Sequence, residues 1–84
     1  PIPWSWLCSA LSLRGRAGAV GVALWFRAGI ARSRTVSISY RDLEEMGVNR
    51  YAARRGLRAL EAAGLVSIER RPGRAPEVTI LDAQ

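Results

Sequence analysis

The segment from Arg16 to about Ala28 constrains the fold of this chain more than any other feature. At 100° per residue, its apolar side chains surround a helix almost completely. One face carries Ala19, Val22, Ala23, Phe26 and Ile30, and the other carries Ala17, Val20, Leu24 and Ala28. A helix that is apolar on every side must be covered on every side, by the rest of the domain or by a second copy of the chain.

Glycines mark both the interior and the expected end of this helix. Gly18 and Gly21 have no side chain, so they would let another element approach closely. Gly29 is expected to end the helix. The segment Arg14-Gly15-Arg16 is the expected joint to a preceding helix.

The preceding helix is expected to start at Pro3, because proline suits the first helical position. Its predicted buried stripe has helical spacing and consists of Trp4, Leu7, Cys8 and Leu11. Cys8 is therefore interpreted as a buried small hydrophobe. The three tryptophans are interpreted as core or interface anchors: Trp4, Trp6 and Trp25.

The middle of the chain predicts a strand and a short helix. Residues 35–38 alternate and are β-branched, which predicts a strand that buries Val36 and Ile38. Ser39 is a good N-cap for a helix that runs from Tyr40 to Met46 and stops at Gly47.

A longer helix and a hairpin are predicted next. Asn49 is expected to cap a helix that runs to Ala63, with Gly64 at its C′ position. Residues 65–70 and 77–81 read as two strands joined by the turn Arg71-Pro72-Gly73-Arg74.

Composition excludes several kinds of chemistry. The chain has 84 residues, enough for one domain with a small core. It has no His and no Lys, and its only Cys is Cys8, so a Ser-His-Asp triad, a zinc finger and a P-loop lysine are all ruled out within this chain. Its acids form no isolated pair suited to hydrolysis. We therefore expect no enzyme, no metal, no cofactor and no small-molecule ligand.

The charge of the chain indicates an anionic partner, with nucleic acid as the first candidate. All 13 basic residues are Arg, against 7 acids, and the net charge is +6. A GC-rich coding sequence also favours Arg over Lys, but it does not explain the positive balance. Residues 1–38 hold five of the arginines and no acid.

Two runs of residues and a basic hairpin follow one another between positions 47 and 81. The runs are Gly47-Val48-Asn49-Arg50 and Arg55-x-Leu57-x-x-Leu60-Glu61-x-x-Gly64-Leu65-Val66. Together with the hairpin they resemble the winged helix-turn-helix domain of bacterial transcription regulators. The resemblance covers residues 35–81.

The resemblance implies a fold that is mainly α with a small antiparallel β-sheet. A single domain would span 1–84, with N-terminal helices over 1–31, a strand over 35–38, the helix-turn-helix over 39–64 and the wing hairpin over 65–81. The implied function is sequence-specific binding of double-stranded DNA and regulation of transcription, in the bacterial cytoplasm at the nucleoid.

The long helix has one core face and one basic face. Ala53, Gly56, Leu57 and Leu60 fall on the stripe that is expected to be buried. The opposite side carries Tyr51 and three arginines, which would enter the major groove. The predicted DNA-binding residues of this helix are Asn49, Arg50, Tyr51, Arg54, Arg55 and Arg58. Those of the wing are Arg70, Arg71 and Arg74, which would contact the DNA backbone or the minor groove.

The short helix before the turn is acidic, which does not suit a DNA contact along its whole length. Asp42 and Glu44 are expected to point to solvent, and Glu45 to pair with a nearby Arg. Only Arg41, at the helix start, is placed to touch a phosphate.

A homodimer through residues 1–31 would explain the apolar excess of the helix over 16–28, and it predicts a palindromic or repeated operator.

Other functions remain open. They are a winged helix that binds another protein, a replication initiation protein of a plasmid or phage, an RNA binder, which would need more exposed aromatics, and, least favoured, an enzyme.

Signals for targeting are absent from the sequence as it stands. The uncharged runs 1–13 and 17–26 are shorter than the ~18–20 residues of a membrane span. No signal peptide is recognisable, and the single thiol suits a reducing cytoplasm. The chain starts at Pro1 without an initiator Met, so we expect it to be processed or cut from a longer protein.

Overall fold

The computed structural model describes residues 2–82 and shows a mixed α+β fold. This part of the chain contains α1 (Trp4–Leu11), α2 (Ala17–Ala31), β1 (Thr35–Ser37), α3 (Tyr40–Glu45), α4 (Arg50–Ala62), β2 (Val66–Glu69) and β3 (Glu77–Ile80). The predicted combination of helices with a small antiparallel sheet is confirmed. The two ends of the predicted domain, at positions 1 and 83–84, lie outside the described residues.

The three strands form one antiparallel sheet in the order β1-β3-β2. In the central strand β3, Val78 pairs with Val36 of β1 and with Ile68 of β2. Val78 and Ile80 are buried and alternate with half-buried neighbours, as a period of two requires. The predicted strands are all present, each shorter by one or two residues.

Local capping chemistry places α3 and α4 as predicted. The Ser39 hydroxyl oxygen accepts a hydrogen bond from the Asp42 N–H at 3.1 Å, and Asn49 Oδ1 accepts one from the Ala52 N–H at 2.9 Å. Gly47 and Gly64 adopt φ values of 84° and 76°, the left-handed region that favours glycine. Both helices end one residue earlier than predicted.

The helix α2 packs against α1 on one side and α4 on another, and a glycine lies at each crossing. A Cβ atom at Gly21 would lie 2.8 Å from Cη2 of Trp6, and one at Gly56 would lie 3.0 Å from Cγ2 of Val20. Both distances are shorter than the 3.5–4.0 Å at which carbon atoms attract. The expected close approach is confirmed at Gly21 and also at Gly18, where a Cβ atom would lie 2.6 Å from Cδ2 of Leu11; α1 is the neighbour at both positions.

Trp6 ties α1 to the sheet. Its side chain is fully buried, and its Nε1–H donates to the carbonyl oxygen of Leu65 at 3.2 Å. Its ring meets that of Trp25 edge to face, with centroids 5.7 Å apart. The hydrogen bond joins residues 59 positions apart, so the N-terminal helix is part of the same core as the C-terminal hairpin.

The predicted buried stripe of α1 is wrong. Trp4 and Leu11 are 77% and 62% exposed, Leu7 is half-buried, and Cys8 is exposed rather than a buried hydrophobe. The buried residues of α1 are Trp6 and Ala10. The large indole of Trp6 enters the space left by Gly21, and this contact turns the other side of α1 to the solvent.

The predicted end of α2 at Gly29 is also wrong. Gly29 keeps a helical conformation, and α2 continues to Ala31. The helix ends at Arg32, which adopts φ 52° in the left-handed region, while the Ser33 N–H donates to the carbonyl oxygen of Ala28 at 3.2 Å. Nothing lies within 4 Å of a Cβ atom built at Gly29, so no neighbour stops the helix there.

The two predicted apolar faces of α2 have different surroundings. Ala17, Val20, Leu24 and Ala28 are buried within the domain. On the opposite side, Val22, Phe26 and Ile30 form an exposed apolar ridge, which we call the outer face of α2; Phe26 and Ile30 are 68% and 66% exposed. The domain therefore covers only part of this helix.

Two expectations for the acids of α3 fail. Asp42 does not point freely to solvent but forms an ion pair with Arg27 of α2. Glu45 has no ion-pair partner among residues 2–82. Arg27 lies within ion-pair distance of Asp42 but not of Glu45, which is three residues further along α3.

None of the helices within residues 2–82 combines the length and the apolar character that a membrane span requires.

Candidate nucleic-acid interface

The turn between α3 and α4 is fixed by backbone hydrogen bonds. The Gly47 N–H donates to the carbonyl oxygen of Glu44 at 2.9 Å, and the Val48 N–H donates to that of Leu43 at 2.9 Å. Val48 is buried, so the turn is anchored in the core immediately before Asn49 starts α4. The first turn of α4 is thereby held in one orientation.

Four buried residues hold α4 against the core, and they are the four predicted from the helical stripe: Ala53, Gly56, Leu57 and Leu60. The opposite side is exposed and carries Tyr51, Arg54, Arg55 and Arg58. These four line one shallow depression together with Asn49. Five of the predicted site residues are thus adjacent in space.

The guanidinium groups of this depression have no carboxylate neighbours. Arg54, Arg55 and Arg58 take part in no ion pair among residues 2–82, and no acid lines the depression. Because the groups lie on the surface, they keep all their N–H donors available for an anionic partner.

Asn49 and Arg50 have structural partners of their own. Asn49 uses its side-chain oxygen for the helix cap, which leaves only its amide N–H groups for other contacts. Arg50 stacks over the ring of Tyr40, with its Cζ 5.7 Å from the ring centroid. Arg50 does not line the depression on α4.

The β2–β3 hairpin, which the resemblance predicts to be the wing, adjoins α4. Arg70, Arg71 and Arg74 line a second depression, which Arg54 and Arg58 of α4 also border. Arg70 lies 3.7 Å from Glu61, and Arg71 lies 3.5 Å from Glu69 and 3.9 Å from Glu77. Arg74 has no acidic partner within residues 2–82, so it is the least neutralised cation of the wing.

Sequence reasoning missed two arginines that lie beside α4. Arg14 and Arg16, in the joint between α1 and α2, line a third depression with Arg55. The sequence did contain a sign of a basic site here, namely two arginines around a glycine in a segment without acids. The packing of this joint on α4, however, is a tertiary contact that the local sequence does not encode.

Residues 2–82 hold no group of three His, Cys, Asp or Glu side chains that could bind a metal ion. The thiol of Cys8 is exposed and free.

Comparison of the chain with protein-family models, with curated proteins and with solved structures finds no match.

Proposed function

We propose that this chain is a winged helix domain that binds double-stranded DNA sequence-specifically, as part of a bacterial transcription regulator. The observation that carries the proposal is the exposed face of α4, where three arginines without acidic partners stand opposite a fully buried stripe. A helix with its side chains is about 10–12 Å wide, which matches the ~12 Å width of the major groove.

In this proposal α4 is the recognition helix. Arg54, Arg55 and Arg58 present planar forks that can pair with O6 and N7 of guanine or bridge phosphate oxygens. Tyr51, exposed beside them, offers an aromatic surface to a sugar or to a thymine methyl group. The buried stripe keeps α4 rigid, so that binding does not require the helix itself to become ordered.

The wing acts next to α4 in the same proposal. Its arginines border the second depression together with Arg54 and Arg58, so both elements can face one duplex. The ion pairs of Arg70 and Arg71 are exposed and are worth at most about 1 kcal/mol each. Phosphate can therefore displace these carboxylates at little cost in free energy.

The experiment that tests this function begins with selection of random duplexes by the purified chain at two salt concentrations. Binding of the selected duplex is then measured for Arg54→Ala and Arg55→Ala. Each variant should lose about 1–3 kcal/mol of binding free energy if its arginine contacts a base. Arg32→Ala removes the same charge at the far end of α2 and should change the affinity much less.

Two results would contradict the proposal. One is the absence of any enriched duplex, with binding that is equally weak on all sequences. The other is an unchanged affinity in both α4 variants. If the basic face instead became protected by a protein ligand, the alternative function of a protein-interaction module would gain support.

A second copy of the chain is the proposed partner for the outer face of α2. The ridge of Val22 and Phe26 separates two grooves. One is bordered by Arg32 and by Arg34, which pairs with Asp82; the other is bordered by Glu45 and by the Arg27–Asp42 ion pair. The unpaired charges are therefore those of Arg32 and Glu45, which have no ion-pair partner among residues 2–82. A two-fold contact would place each ridge in a groove of the other copy and would bring rims of opposite charge together.

A further inference from the structure

The joint between α1 and α2 forms one side of a groove against α4. Arg14, Gly15 and Arg16 face Ala52, Arg55 and Ala59 of α4 across this groove. The two alanines are half-buried and form a small apolar floor, while all three arginines are exposed. The joint is fixed in place because α1 and α2 both belong to the core on either side of it.

The groove carries only positive charge. No acid lines it, and none of its three arginines forms an ion pair within the described part of the chain. Three guanidinium groups around one groove repel one another unless an anion lies between them. The local charge therefore favours an anionic ligand, and the short alanine side chains leave room for it.

This groove continues the basic surface of α4. It shares Arg55 with the depression on α4, and that depression shares Arg54 and Arg58 with the one at the wing. On the helical projection of α4, Ala52 and Ala59 lie on one side of the exposed arginines, and Leu57, which borders the wing depression, lies on the other. The joint and the wing therefore flank α4 on opposite sides.

We infer that the joint binds the phosphate backbone of the duplex that α4 reads, on the strand opposite to the wing. The inference rests on the proposed function. A helix that fills the major groove has a phosphate strand at each wall of the groove. The wing reaches one wall, and Arg14 and Arg16 reach the other, so that α4 is positioned from both sides. Such contacts set the orientation of the protein without reading sequence.

The test compares two double variants with equal loss of charge. Arg14→Ala/Arg16→Ala removes the proposed contacts. Arg32→Ala/Arg34→Ala removes two arginines beyond the end of α2, on the side proposed for dimerisation, so both variants are measured at a chain concentration below that at which the dimer would form. The affinity for the selected duplex and for a scrambled one is measured over a series of salt concentrations. The joint variant should flatten the plot of log affinity against log salt by about 2, on both duplexes. The control variant should keep the slope of the unmodified chain.

Two further measurements separate a local contact from a general loss of charge or of folding. In a hydroxyl-radical footprint, the joint variant should lose protection only on the DNA strand opposite to the wing. Arg14→Lys/Arg16→Lys should restore most of the slope of log affinity against log salt, because a phosphate contact depends on the positive charge more than on the planar guanidinium group. Thermal melts verify that each variant folds.

The outcomes distinguish this inference from the proposed function. If the slope of the joint variant equals that of the unmodified chain while Arg55→Ala weakens binding, the joint does not touch DNA and the inference is wrong. Equal slopes in the joint and control variants lead to the same conclusion. If the unmodified chain binds no duplex, the proposed function fails and the inference fails with it.

Discussion

At the scale of single residues, Gly29 and Gly56 both lie inside helices but differ in what a methyl group would meet. A Cβ atom at Gly29 would have nothing within 4 Å, whereas one at Gly56 would lie 3.3 Å from the backbone Cα of Ala17. Gly29→Ala should raise the free energy of unfolding by about 0.5–1 kcal/mol through helix propensity. At Gly56 an overpacking cost of about 1–3 kcal/mol should outweigh that gain.

Urea unfolding of the two glycine variants measures both effects. Opposite signs are expected, with Gly29→Ala more stable and Gly56→Ala less stable than the unmodified chain. An equal gain in both variants would mean that α2 and α4 do not meet at Gly56.

Leu60 tests which face of α4 belongs to the core. Its side chain is fully buried, so Leu60→Ala should lower the free energy of unfolding by about 2–4 kcal/mol, a large share of the stability of a small domain. Leu11→Ala truncates an exposed leucine and serves as the control. A melting temperature of Leu60→Ala within a degree or two of the unmodified chain would place the core on another face.

At the scale of elements, the sequence encodes those features that depend on neighbouring residues. The caps Ser39 and Asn49 and the turn glycines Gly47 and Gly64 act within a few residues of their own position, so their roles could be predicted. The core stripe of α4 could also be predicted, because charged residues occupy the other side of the helix and leave only one face that can be buried.

The errors about the core, and about a helix end misplaced by more than one residue, lie in α1 and α2, where periodicity leaves more than one choice. Apolar residues surround α2, and α1 has two sets with helical spacing, the predicted stripe and the pair of Trp6 and Ala10. The buried side is therefore decided by distant contacts, such as the entry of Trp6 beside Gly21 and its hydrogen bond to Leu65. A glycine inside a helix also looks like a glycine after its end. The actual end of α2 lies at Arg32, and capping rules would not select an arginine for this left-handed position. The packing of the α1–α2 joint against α4 could not be predicted either, because it too depends on contacts between residues far apart in the sequence.

The wing is expected to act through charge rather than through base recognition. Arg71 and Arg74 flank the Pro72-Gly73 turn, beside the helix that is proposed to enter the major groove, so we expect them to meet the DNA backbone or the minor groove. Replacing both with Ala should weaken selected and scrambled duplexes by similar factors. It should also flatten the salt plot by about 1 for each phosphate that the wing no longer binds. Arg74 should account for more of the change, because Arg71 already has two acidic neighbours.

Titrations of Arg71→Ala and Arg74→Ala, each over a range of salt concentrations, measure the two contributions. The fold should be little affected, since both residues are exposed at a turn. A double variant with the salt slope of the unmodified chain would leave the wing as a solvated hairpin.

At the scale of the whole molecule, the exposed arginines of α4 and the apolar ridge of α2 lie on opposite sides of the packed pair α2–α4. We call the exposed side of α4 its arginine face. The exposed arginines of α4 point away from Gly56, which contacts α2, and the outer face of α2 points away from the side that contacts α4. Two copies joined through their outer faces would therefore turn their arginine faces in opposite directions. This arrangement does not fit the palindromic operator on one straight duplex that dimerisation by itself suggests.

A dimer of this form should hold two separate duplexes, and Phe26 should control it. Phe26→Asp places a charge in the centre of the apolar ridge, so it should convert a dimer at high micromolar concentration into a species of 9.2 kDa in light scattering. Because Phe26 is already exposed and lies far from α4, the affinity of each chain for one duplex should not change. Energy transfer between two duplexes with different labels should rise with the unmodified chain and stay at background with Phe26→Asp. A 9.2 kDa species for the unmodified chain would mean that the ridge stays uncovered in solution, and selection of a palindrome would require a dimer through another surface.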